Sequence, residues 1–238
     1  MSTTKKPSIV LCHGIWADAS CFNKLLPRLI ADGHEVISVQ YGLTSFEHDV
    51  AAIKRTISRV SSPVILVGHS YGGATITAAA NDERVVGLVY IAAVAPAPGE
   101  TVNDQLKKFP SDIFTRIEAA DGRVWMLPSG TQFFAGDLPE DEQKVVWATH
   151  YAPAVDLFDQ QKIAVNTWDT KPNWYILCTE DHTVHPDLQR WVSKRMGAKV
   201  TEIKSSHVPM LSHPDIVADV INQAAAAVKT SLSPMSVS

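Results

Sequence analysis

No run in this chain approaches the roughly 18 to 20 consecutive apolar residues that span a bilayer, which excludes a helical membrane protein. The opening stretch, MSTTKKPSIVLC, lacks the long apolar segment and small-residue cleavage site of a secretory leader, so a cytoplasmic location is expected. Cysteine is scarce: there are three in 238 residues, an odd number that does not suit a disulfide framework. Cys12 and Cys178 lie in apolar, strand-like runs, as reduced thiols that serve as packing would. A dominant charge is also missing, because 21 basic and 25 acidic residues are mixed along the chain and the net charge is −4. That balance offers no footprint for nucleic acid or an anionic membrane, so neither is expected as a partner. There is no H-E-x-x-H, and no G-x-G-x-x-G follows a strand-like run, so neither a metal nor an organic cofactor is expected.

What remains is 45% hydrophobic and 19% charged residues, enough apolar material for one globular domain with a large core. Short β-branched runs alternate with helical patterns: SIVLC, ASCFNKLLPRLIADG, EVISVQ, the amphipathic stretch from Ser45 to Val60, VILVG, ATITAAAND and VVGLVYIAA. Strict alternation requires crossover connections, hence a parallel sheet covered on both faces. Ser20 is placed to cap the first helix and Gly33 to end it, while Pro27 predicts a kink or a two-part helix. Pro214 is placed to start the last helix, over 215–229, and the first seven and last eight residues read as frayed tails.

The rhythm breaks after Ala95. From about 101 to 166 there is no β-α alternation but there are eight aromatic residues, Phe109 to Phe158, with a hairpin turn predicted at Asp121-Gly122 and a helical piece at EDEQKVVWATHY. An insertion of this kind predicts a cap over the carboxyl edge of a doubly wound, mostly parallel sheet, where such folds bind ligands. Alternation resumes at NWYILC, followed by a helix near 186–196, the strand KVTEI and the final helix.

Gly68-His69-Ser70-Tyr71-Gly72 fits G-x-S-x-G, and it follows a buried strand and opens a helix, as a nucleophile elbow must. A sharp strand-to-helix turn needs small neighbours so that strand and helix approach without Cβ clashes, which accounts for Gly68, Gly72 and Gly73. A serine hydroxyl at neutral pH needs a general base, and the base needs an orienting carboxylate, in the chain order Ser, acid, His. Of nine histidines, His13 follows the first strand, His69 sits beside Ser70 with its side chain expected to aim away from Oγ, and His34, His48 and His150 read as surface residues. His207 lies in the loop after KVTEI, at the same sheet edge as Ser70, and is favoured as base over His213, which reads as the approach to the final helix. Glu180 and Asp181 both follow NWYILC, and loop length favours Asp181. Two N–H donors are required for an oxyanion; Tyr71, after the nucleophile, and Ile15, in the loop after the first strand, are placed to supply them. Aromatic residues of the cap, with Trp16, point to a largely apolar pocket, for which Trp16 and Trp125 are the candidate lining residues.

The stretches VLCHGIW, VILVGHSYGGATI, VVGLVYIAAVAPAPGE, TEDHTVHPDLQRW and SSHVPMLSHP together resemble the α/β-hydrolase superfamily. More narrowly, they resemble its compact branch of plant methyl esterases, hydroxynitrile lyases and bacterial esterase relatives. The resemblance covers nearly the whole chain and is weakest across the cap. It implies an α/β-hydrolase fold with the cap after the sixth strand, Ser70 as nucleophile, Asp181 as acid, His207 as base, and the N–H groups of Ile15 and Tyr71 as oxyanion hole. Lyases of this branch carry a hydroxyl residue after the first His of the oxyanion loop and a Lys after the catalytic His, where Gly14 and Val208 stand here. The expected activity is therefore serine-dependent hydrolysis of a small or medium carboxylic ester, by a monomer or homodimer. A lyase or carbon-carbon bond hydrolase on the same scaffold, and a non-catalytic ligand receptor, are the alternatives.

Overall fold

Runs such as SIVLC and VILVG offer apolar side chains to both faces, so they pair as interior strands rather than one-sided ones. In the computed structural model, which describes residues 6–60, 63–160, 163–164 and 166–231, eight strands form: β1 (Ser8–Cys12), β2 (Val36–Val39), β3 (Val64–His69), β4 (Val85–Ile91), β5 (Ile117–Ala120), β6 (Arg123–Met126), β7 (Asn173–Cys178) and β8 (Lys199–Ile203). Six of them make one wholly parallel sheet in the order β2-β1-β3-β4-β7-β8. β1, β3 and β7 are buried at every position, whereas the edge strands β2 and β8 are buried at only one residue each.

The helices are α1 (Leu26–Ala31), α2 (Phe46–Ile57), α3 (Gly72–Ala79), α4 (Val102–Leu106), α5 (Thr131–Phe134), α6 (Glu140–Ala148), α7 (Pro186–Arg195), α8 (Pro209–Ser212) and α9 (Pro214–Ser231). α2 is capped by Ser45, where the amphipathic pattern begins, ends at Ile57 rather than Val60, and buries Phe46, Val50, Ile53 and Ile57. α2 packs on α3, α1 on α9, and α9 also on β4 and β7.

The first helix is two pieces, one of the outcomes Pro27 predicts: a 3₁₀ turn over Ala19–Phe22 and then α1, with Pro27 in the first turn of α1, where its missing N–H costs nothing. Two expectations change. The cap of the 3₁₀ turn is Asp18 rather than Ser20, because the Asp18 carboxylate accepts the Ser20 N–H at 2.7 Å. Lys6 and Pro7 are not frayed: the Lys6 amine donates to the Asp32 carbonyl, and the Pro7 carbonyl accepts from the His34 ring at 2.9 Å. Residues 1–5 and 232–238, the rest of the expected tails, lie outside the described residues, and Ser231 closes α9.

The insertion leaves the main sheet after its fourth strand, not its sixth, since among the described residues four strands precede residue 101. It contains the antiparallel hairpin β5-β6, turned at Asp121 (φ +52°) and Gly122 (φ +73°), the positive pair that suits the right-handed twist of a two-residue hairpin. Arg123 fastens this hairpin to the core by donating to the carbonyls of Gly42 and Leu43, and to the rest of the insertion by donating to that of Ala152. The sheet order reverses between β1 and β3, so the loops leaving their carboxyl ends diverge and open a crevice.

Candidate active site

Ser70 leaves β3 with φ +55°, a left-handed conformation that a non-glycine residue holds only when its surroundings impose it. Those surroundings are backbone atoms. A Cβ on Gly68 would lie 2.5 Å from the Gly72 carbonyl oxygen, and one on Gly72 would lie 2.4 Å from the Cys12 carbonyl oxygen. Strand β1, the elbow and α3 therefore touch main chain to main chain. Hydrogen bonds complete the hold, with the Ser70 N–H donating to Ile91 O at 3.0 Å and Ser70 O accepting from Val94 N at 3.2 Å.

The loop after β1 presses on the same point. A Cβ at Gly14 would lie 2.7 Å from Ser70 Cβ and 3.2 Å from its Oγ, so only glycine brings this backbone alongside the hydroxyl. Among the described residues, neither the Ile15 nor the Tyr71 N–H donates to a protein acceptor, although both residues are buried against Ser70. Trp16, at φ +52°, continues the loop, and its indole N–H donates to Val124 O of the cap hairpin at 2.8 Å.

The loops after β7 and β8 bring two more groups together. His207 Nδ1 and Asp181 Oδ2 are 2.7 Å apart, both side chains fully buried. Asp181 Oδ1 accepts the N–H groups of Thr183 and Val184 at 2.7 and 2.9 Å, and Oδ2 accepts a second donor, Gln189 Nε2, at 2.8 Å. Four donors match the four acceptor sites of a carboxylate, so Nδ1 carries the proton and Nε2 of His207 presents its lone pair. Nε2 is buried without a partner among the described residues, and no hydrogen bond joins it to Ser70 Oγ. Such nucleophile-base contacts often tighten only with substrate in place. Glu180, the competing carboxylate, points to solvent and pairs with Lys204 at 3.4 Å.

His69 acts on the base from behind. Its ring centroid lies 4.6 Å from that of His207, and its Nε2–H donates to His207 O at 2.8 Å, which keeps it turned from Ser70 as expected but gives it an unforeseen grip on the base's backbone. Burial, with the neighbouring His207 ring, holds His69 well below the usual histidine range and hence neutral. His13 is likewise neutral: burial brings it down to about 4, against the bond from its Nδ1–H to Gly14 O, and its ring stacks on Tyr41. His34 is buried rather than at the surface, bonded to Pro7 O and Asn222, whereas His48 is exposed. His213 ends α8 and faces Asp137 at 3.9 Å.

Two carboxylates were missed by the sequence reading. Asp137, at the cap's edge, accepts Ser205 Oγ at 2.9 Å, Ser206 N at 3.0 Å, and the Ser206 hydroxyl, so the cap grips the two residues before His207. Burial opposes its ionisation, but the bonds from Ser206 and Ser205 outweigh that and hold the carboxyl below the usual range. Asp49 of α2 accepts the Tyr71 hydroxyl at 3.0 Å and Leu43 N at 3.2 Å. Here burial prevails over those bonds and lifts the carboxyl to about 6.

The cavity at Ser70 has a volume of only 20 Å3, walled by Ile15, Trp16, Tyr71, Val102, Phe158 and their neighbours. Trp16 lines it as expected. Trp125 does not: it is 40% exposed and packs on His150, because along β6 Met126 points inward and Trp125 outward. The three thiols are free, and no helix among the described residues is long and apolar enough to cross a membrane.

A sequence model of the alpha/beta hydrolase family matches residues 9–220. Among curated proteins, an alpha-hydroxynitrile lyase of Arabidopsis thaliana is 25% identical, over 92% of this chain and 96% of its own. A polyneuridine aldehyde esterase of Rauvolfia serpentina is 26% identical, over 86% and 90%. Among solved structures, a pyrethroid hydrolase from Sphingobium faniae superposes with a TM-score of 0.79 over 93% of this chain and 98% of that one, at 24% identity, which speaks for the shared fold.

Proposed function

The chain belongs to the alpha/beta hydrolase family, and from that premise we propose that it hydrolyses a small or medium carboxylic ester through an acyl-enzyme on Ser70. The observation that carries this reading is the Asp181-His207 pair, bonded at 2.7 Å, whose remaining imidazole nitrogen is unpartnered among the described residues, at the same sheet edge as a serine on a strained elbow.

Ser70 Oγ attacks the ester carbonyl carbon while His207 Nε2 takes its proton. The carbonyl oxygen becomes an oxyanion held by the N–H groups of Ile15 and Tyr71, each worth about 3 kcal/mol in such sites. Asp181 keeps the imidazole in the right tautomer and balances the imidazolium. As the tetrahedral intermediate collapses, the Nε2 proton passes to the departing alkoxide. Water then attacks the acyl carbon, giving its proton to His207, and as the second tetrahedral intermediate collapses that proton passes from Nε2 to Ser70 Oγ and the acid departs. The protein's partner in this reading is a small-molecule ester, and the free thiols suit a cytoplasmic setting.

Hydrolysis is favoured over cyanohydrin cleavage because, among the described residues, those that wall the Ser70 cavity include no lysine or arginine to receive cyanide, and Val208, after the base, is apolar and buried. A short-chain nitrophenyl ester should be turned over, and Ser70→Ala should cut kcat by about six orders of magnitude. A fluorophosphonate probe should label Ser70, read by mass. Cyanide release from mandelonitrile with no ester turnover would replace this reading with the lyase one.

A further inference from the structure

A second cavity lies behind the base. Its volume is 270 Å3, and it is set between the cap helix α6 and the 3₁₀ turn that follows β1, with walls that include Phe134, Leu138, Val146, Val208 and Leu211. Trp16 is the one side chain that lines both this cavity and the one at Ser70, among the described residues. Phe134 packs edge-on against both Trp16, at 6.3 Å, and His207, at 5.1 Å, and Val208 follows the base directly. The partition between the two spaces is thus one aromatic layer thick.

We infer that this second cavity is the subsite for the alcohol portion of the ester, with Trp16 as a movable partition; the inference rests on the hydrolase reading of Ser70. Size gives the first argument. A space of 20 Å3 holds about one water, so no ester enters until a wall moves, and displacing Trp16 joins that space to 270 Å3 already formed. Trp16 is tied to the cap: its backbone sits at φ +52°, its N–H donates to Tyr151 O at 3.1 Å and its indole N–H to Val124 O at 2.8 Å, so it shifts when those cap segments shift.

Chemistry gives the second. His207 Nε2 must protonate the departing oxygen, so the alcohol arm extends on the side of His207, where Phe134, Val208 and the cavity lie. The acyl arm is left with the tight apolar walls of Val102, Leu106 and Phe158. The lining of this cavity is mostly apolar, its polar residues being Asp18, Ser20, Asn23, Thr149 and the Lys24-Glu142 pair, 2.5 Å apart and half-exposed, which joins core to cap. The arm it takes is uncharged and apolar, of the size of one or two fused rings, on an ester with a short acyl chain.

The test compares 2-naphthyl acetate with methyl acetate, which share the acyl group. Val146→Phe adds a ring inside the cavity, and Val145→Trp fills it from a position 58% exposed, where the substitution costs folding little. Both should lower the ratio of kcat/KM for the naphthyl over the methyl ester by tenfold or more, and Trp16→Ala should raise it several-fold. Binding of 2-naphthol, measured by calorimetry, should weaken by a similar factor in both filling variants. If the esters are hydrolysed but the ratio stays within twofold, the subsite is wrong and the hydrolase reading stands. If neither ester is hydrolysed, the hydrolase reading falls, and loss of 2-naphthol binding in the filling variants still decides whether the cavity holds an apolar alcohol. Unchanged 2-naphthol binding overturns the inference in either case.

Discussion

Around Ser70 the chain is held by main chain pressed on main chain; around His207 it is held by carboxylates reaching across from other segments. On the first side the contacts are those of Gly68 and Gly72, where an added Cβ would meet backbone at 2.5 Å or less, with Gly14 as close to the Ser70 side chain, at 2.7 Å. On the second, Asp181 takes four hydrogen bonds and Asp137 three, from residues as far as 69 positions away. The nucleophile side is a steric lock with almost no freedom. The base side is an electrostatic one, which adjusts with protonation and with the cap that supplies Asp137. A site that must hold Ser70 still and let His207 shuttle a proton gains from that division.

The steric side should fail first and worst. Gly72→Ala sets a methyl 2.4 Å from the Cys12 carbonyl oxygen, which is backbone and has no room to retreat. We expect a loss of about 3 kcal/mol or more, roughly 6–12 °C in Tm for a chain of this length, with ester turnover abolished. A variant that melts like the parent would mean the elbow is not locked by close approach.

The two unforeseen carboxylates sharpen the contrast, because burial and bonding shift them in opposite directions. Asp49, next to the elbow, is lifted from 3.8 to about 6. It binds its proton more tightly folded than unfolded, so its support is full below pH 4 and is lost as pH rises through 6, by at most about 3 kcal/mol. Asp49→Asn should therefore gain Tm relative to the parent as pH climbs from 4 to 7. Asp137 is held below 3.8, so its support is full above pH 4 and is lost as pH falls through its folded value. Asp137→Asn should cost about 1–2 kcal/mol, steady from pH 8 to 5 and narrowing below 4, and lower kcat about tenfold with KM little changed, since the His207 loop shifts. Parallel pH profiles for the two variants would erase the distinction.

The same division decides what could be read in the sequence. The elbow's requirement is local, so glycines two and three residues from Ser70 announce it, and a hydrophobic run placed the strand before it. The alternation of strands and helices likewise put Ser70, Asp181 and His207 at one sheet edge. Gln189 and Asp137 could not be read this way, because each meets its partner only after the chain has folded. Gln189 left a faint sign, a polar residue beside Leu188 on the buried face of α7, and Asp49 a clearer one, a carboxylate on the apolar stripe of Phe46, Val50 and Ile53. Trp125 misled because an aromatic residue in a cap says nothing of its facing, whereas the alternation of β6 does.

The smallest effect belongs to the pair that composition alone cannot separate. Glu180 and Asp181 are adjacent carboxylates after the same strand, yet one is 51% exposed beside a lysine and the other sits in a closed set of four donors. An exposed ion pair contributes roughly 0–1 kcal/mol, whereas removing a charge that four buried donors were built around leaves those donors unpaired. Glu180→Gln should therefore shift Tm by no more than about 2–3 °C and leave ester turnover at the parental rate. A tenfold fall in kcat for that variant would place Glu180 on the base and undo the assignment of Asp181, because one imidazole nitrogen faces one carboxylate.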